Sequence, residues 1–81
     1  MGDLWTLKVN QVAVVSGFST SMTEAFQGRL SALGFRSGQK VFCLGETPFG
    51  GPRIFQIGDS VFSLARDLAR GIAVETLEMQ S

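Results

Sequence analysis

Val12, Val14 and Val15 fall within a short run from Gln11 to Ser16 that is closed by Gly17. β-Branched residues in so brief a run predict a first strand. The period then changes. Met22, Phe26, Leu30 and Leu33 recur three or four residues apart, with Ala25 and Arg29 between them. This spacing predicts a helix over 22–33 with one apolar face, which is expected to cover one end of the fold. Ser21-Met22-Thr23-Glu24 has the form of a capping box, with Ser21 as the cap and Glu24 reaching back to it. Gly34 supplies a left-handed terminator, and Phe35 is placed to close on Leu30. Gly28, inside the helix, has two readings: a close backbone approach, or a tolerated cost of about 1 kcal/mol relative to Ala.

Beyond the helix the period returns to two. Arg36-Ser37-Gly38-Gln39 predicts a turn with Gly38 at positive φ. A second strand is expected from Lys40 to Glu46, with Val41 and Cys43 on one face and Phe42 and Leu44 on the other. A third follows from Arg53 to Ile57. Gly58-Asp59 has the chemistry of a type II′ hairpin turn leading into a fourth strand, Ser60 to Ser63. Leu64, Ala65, Leu68, Ala69 and Ile72 share one face of a short helix at about 64–70, and Ile72-Ala73-Val74 closes as a fifth strand. Leu4, Trp5 and Leu7 form an apolar lead-in with no element assigned. About five short strands with two helical insertions predict a mainly β fold, a small and partly closed barrel. No repeat or linker divides residues 1–81, so a single domain is expected.

Composition narrows the chemistry more than the fold. With 81 residues, 44% of them hydrophobic and seven of them Phe, the chain has the material for one small core. Seven basic residues balance seven acidic ones. Arg29, Arg36, Arg53, Arg66 and Arg70 are dispersed, so nucleic acid is not expected as a partner. One cysteine and no histidine cannot assemble a thiolate–imidazole metal cluster. Cys43 alternates with core positions and reads first as a small hydrophobe, with redox or metal roles as the lesser alternatives. The carboxylates show no ligand spacing, so no metal or other cofactor is expected. A serine nucleophile would have only Lys8 or Lys40 as its base, and no local motif supports either pairing, so no catalytic residues are assigned.

No run approaches the roughly 18 apolar residues of a membrane span, and no secretory signal is legible, so direct membrane insertion is not expected and the reading is cytoplasmic. The start Met1-Gly2-Asp3-Leu4-Trp5-Thr6 fits a myristoylation pattern short enough to arise by chance. Self-association is left open.

The candidate contact surface is Pro48-Phe49-Gly50-Gly51-Pro52, between the second and third strands. Proline restricts φ and removes donors, glycine opens backbone conformations, and Phe49 is an aromatic that a turn has no need to bury. An exposed ring there would anchor a partner. A ring folded back would instead act as a lid over the barrel. Arg66 and Arg70, one helical turn apart, are either a basic contact or a solvated face beside Asp67.

In their order, Arg29-Leu30-Ser31-Ala32-Leu33-Gly34-Phe35, Ser37-Gly38-Gln39-Lys40-Val41, Pro48-Phe49-Gly50-Gly51-Pro52, and Leu64 and Ala69 with Ile72-Ala73-Val74 resemble the ferrous iron transport protein A (FeoA) family. Each motif is weak alone; together they span about the last two thirds of the chain. Ser37 stands where that family usually has Pro, a lost φ restraint worth about 0.4–1 kcal/mol. Ala65 stands where a basic residue is common, with Arg66 beside it.

The resemblance implies an SH3-like barrel in the bacterial cytosol, a non-enzymatic accessory for ferrous iron transport. Its implied partner is the cytosolic GTP-binding domain of the membrane ferrous iron transporter, which would bring it to the inner membrane. The chain itself has no G-x-x-x-x-G-K-[ST] loop. A competing expectation is a freestanding regulatory or metal-responsive domain similar to the SH3-like C-terminal domain of iron-dependent repressors.

Overall fold

The structure, a computed structural model, describes residues 2–77. In chain order it holds β1 (Gly2–Asp3), a 3-10 turn (Leu4–Thr6), β2 (Val12–Phe18), α1 (Glu24–Leu33), β3 (Lys40–Glu46) and a second 3-10 turn (Pro48–Gly50). β4 (Arg53–Ile57), β5 (Ser60–Leu64), α2 (Arg66–Arg70) and β6 (Ile72–Thr76) complete it. The strands form one antiparallel sheet in the order β1-β6-β2-β3-β4-β5. The mainly β expectation holds, with six strands among the described residues where about five were expected. The addition is β1, a two-residue pairing of Gly2 with Val74 and Asp3 with Ala73 that is too short to leave a pattern.

The sheet bends through two register shifts, between Val15 and Gly17 on β2 and between Cys43 and Gly45 on β3. Such bulges add local twist and let a small sheet curl around its own core. Inside the curl lie Phe35, Phe55, Leu4, Leu7, Ile72, Val15, Val41, Val74 and Cys43, all essentially inaccessible. Val41 and Cys43 point in while Phe42 and Leu44 point out, as alternation requires. At the β4–β5 hairpin, Ile57 pairs with Ser60 across Gly58-Asp59, and Gly58 has φ 56°.

α1 departs from expectation at its start and on its face. The N-cap is Thr23, whose hydroxyl accepts from the Phe26 amide at 3.2 Å. Ser21 cannot serve, because its hydroxyl lies 2.8 Å from that of Ser19 and its N–H donates to the Ser19 hydroxyl. The helix therefore opens at Glu24 rather than Met22. Its end is as predicted: Gly34 has φ 115°, the Gly34 amide donates to Ser31 and the Phe35 amide to Leu30, each at 3.0 Å.

The apolar face is not covered. Leu30 alone is buried in α1, while Phe26 is 38% and Leu33 50% exposed. The filling at this end comes instead from Phe35, whose ring meets that of Phe62 at 5.3 Å. Gly28 approaches nothing, since a Cβ built there meets no atom within 4 Å. The second helix is likewise shorter than expected, starting at Arg66 because Leu64 still belongs to β5 and Ala65 is extended.

Candidate functional site

The Pro-Gly loop is a closed unit. The Thr47 hydroxyl donates to the Pro52 carbonyl at 2.8 Å, and the Gly51 amide donates to the Pro48 carbonyl at 3.2 Å. Gly51 must lack a side chain, because a Cβ would collide with Thr47 Oγ1. Pro48 opens the 3-10 turn, and both Phe49 (φ 60°, ψ 32°) and Gly50 (φ 71°) then take left-handed backbone. For glycine this is free; for phenylalanine it costs on the order of 1–2 kcal/mol. The Phe49 ring recovers none of that by burial, being fully exposed at 104%. It does not fold back as a lid.

Pro48, Gly50 and Pro52 are also exposed and Gly51 half-buried, so the predicted loop is one continuous surface. Arg66 and Arg70 are exposed too, but they do not both join it. Leu64 pairs with Arg53, which places the end of β5, and Arg66 just after it, at the loop end of the barrel. α2 then runs away from that end, and the Gly71 carbonyl accepts from the Ser19 amide at 2.8 Å, beside the start of α1. Arg70 therefore lines a separate cleft of about 560 Å³ between the helices, floored by Met22, Phe26, Leu68 and Gly71. A Cβ on Gly71 would lie 2.6 Å from the Met22 methyl, so a side chain there displaces the end of Met22 from the cleft floor. The spacing of Met22 and Phe26 was visible in the sequence, but not that α2 would stop short of covering them.

A second feature escaped the sequence reading. Arg53, counted only as one of five dispersed arginines, is half-buried and donates through one guanidinium nitrogen to the carbonyls of Trp5 and, at 3.1 Å, Leu7. Its guanidinium also stacks 4.5 Å from the Trp5 ring centroid. This clamp ties the lead-in to β4 near the loop. No spacing rule links residues this far apart in sequence.

Cys43 lies in the core at 1% exposure, its thiol 3.8 Å from the Gly45 carbonyl. Burial pushes the thiol up from its ordinary value, and a backbone hydrogen bond at Gly45 and the charge of Arg53 act more weakly against that shift. A buried thiol held neutral is a poor nucleophile and a poor metal ligand. Among the described residues, no three His, Cys, Asp or Glu side chains converge, and no helix is long and apolar enough to cross a membrane.

A bent antiparallel sheet with a Pro-Gly loop between its third and fourth strands and a Schellman-capped helix is a specific combination. A family model described as the FeoA domain matches it over residues 3–76. The chain belongs to the FeoA family. Among solved structures, FeoA of Stenotrophomonas maltophilia, complexed with zinc, is 28% identical with a TM-score of 0.80, covering 93% of this chain and 91% of that one. It is described as an SH3-domain protein suggested to act as a bacterial ferrous iron transport activating factor. FeoA of Chlorobium tepidum is also 28% identical, with a TM-score of 0.83 over 98% of this chain and 73% of that one. A manganese-dependent transcriptional repressor shares the fold at 19% identity and a TM-score of 0.78, and this chain spans 41% of its length. The SH3-like barrel is thereby shown. No curated protein sequence matches the chain.

Proposed function

We propose that this FeoA-family chain is a non-enzymatic cytoplasmic accessory of ferrous iron uptake. It docks on the cytosolic GTP-binding region of the membrane ferrous iron transporter, which holds it at the inner membrane. One observation carries the contact: Phe49 is fully exposed on backbone that disfavours it, in a loop closed by its own hydrogen bonds. Strain held at an exposed aromatic points to a binding role rather than a packing one. The rigid turn of Pro48, Gly50, Gly51 and Pro52 presents the ring. Arg66 and Arg70 supply cationic contacts on α2, Arg66 from the loop end and Arg70 from the cleft. Such an accessory influences the transporter only if it binds two of its states unequally.

The test is a pull-down of the transporter's cytosolic domain by the full chain, with and without guanine nucleotide, alongside Phe49→Ala. Association that differs between nucleotide states and falls at least about tenfold in the variant is expected, the loss of a central aromatic anchor. Undiminished association of a folded Phe49→Ala would sink the anchor. No association in any state, together with saturable ferrous-ion binding by the isolated chain, would replace this reading with the metal-responsive one.

A further inference from the structure

β5 is an edge strand, and it is undefended. Among the described residues the sheet ends there, and Ser60-Val61-Phe62-Ser63-Leu64 contains no charge and no proline, the usual devices that keep an edge from pairing. The opposite edge, β1, is only two residues long. The two-residue hairpin makes Ile57–Ser60 a hydrogen-bonded pair, so Ser60, Phe62 and Leu64 direct their backbone groups to β4. Val61 and Ser63 direct theirs outward. Both are exposed, Val61 at 57%.

We propose that this edge pairs with the same edge of a second copy, antiparallel about a twofold axis at Phe62. In that register Val61 faces Ser63 of the other copy, and each such pair exchanges two backbone hydrogen bonds, using the outward groups of both strands. The two Phe62 residues meet as a non-hydrogen-bonded pair, where side chains are closest. Each ring is half-buried and already packed on Phe35, so the contact extends the core across the seam.

Charge selects the same register. Continuing outward, Asp59 falls opposite Ala65 and beside Arg66 of the other copy, so both ends of the paired strands bring a carboxylate to a guanidinium. Asp59 and Arg66 are both exposed. A foreign extended segment would satisfy the backbone equally well but has no reason to supply both the aromatic and the matched charges. Arg66 thus acquires a self-facing role distinct from the transporter contact, and the loop carrying Phe49 stays outside the seam.

The test is sedimentation equilibrium of the full chain over a concentration series. Weak dimerisation is expected, with a dissociation constant on the order of micromolar to millimolar for so small an interface. Ser63→Pro removes one outward N–H without touching the β4 ladder and is expected to weaken association at least about tenfold. Val61→Lys, a charge on the edge, serves the same purpose should the proline variant misfold, and circular dichroism checks both. Arg66→Glu is expected to weaken the dimer about tenfold, and Asp59→Lys combined with Arg66→Glu to restore it. A chain that stays monomeric at millimolar concentration overturns the proposal, as does a dimer indifferent to Ser63→Pro and Val61→Lys. A dimer lost instead in Phe49→Ala places self-association on the loop and overturns it as well.

Discussion

α1 and the lead-in segment 2–7 exchange the roles their sequences suggest. α1 has helical spacing, a cap and a terminator, yet only Leu30 of its residues is buried. The lead-in has no readable period, yet Leu4 and Leu7 are among the most buried side chains in the molecule and Trp5 carries the Arg53 clamp. Local pattern decides whether an element forms; contacts between distant segments decide which elements the core needs.

The largest effects should fall on the unpatterned segment. Leu7→Ala is expected to cost about 2–5 kcal/mol in urea denaturation, and Leu33→Ala on the helix no more than about 0.5 kcal/mol. Equal losses at the two sites would break the contrast. Arg53→Met removes charge-assisted bonds to two carbonyls and should cost about 1.5–3 kcal/mol, with a red shift of Trp5 fluorescence as the lead-in loosens. A loss confined to stability, with unchanged emission, would show that the clamp does not hold Trp5. Gly34→Ala forces a side chain onto left-handed backbone 3.0 Å from the Ile57 γ-methyl, and about 1–2 kcal/mol should be lost. That measures how much α1 owes to its terminator rather than its face. The smallest effect has the opposite sign: Gly28→Ala, in open space on an exposed turn of α1, should raise stability by about 0.5–1 kcal/mol.

The strands were legible because alternation and turn glycines are local. β3 and β4 have their predicted bounds, and Gly38 takes its predicted positive φ of 91°. β1 was not, since two residues carry no period, and neither was the true cap, because Ser21 and Thr23 are equally good caps until the Ser19 hydroxyl claims the first. At the candidate site, the Pro and Gly residues announced the loop. Whether Phe49 pointed in or out depended on the volume left inside the barrel, and Phe35 and Phe55 already occupy it. The separation of Arg70 from the loop follows from the direction of α2, which five residues cannot reveal.

The pairing of β1 with β6 also bears on the order in which the fold can close. Gly2 is made before its partner, Val74, and the two can pair only once the segment between them has been made. Arg53 likewise must exist before Trp5 and Leu7 can be clamped. β3, β4 and β5, joined by short turns, can pair among themselves as soon as they appear. Long-range closure of this kind is slow relative to local pairing, which assigns the lead-in to the last step of folding and the first of unfolding.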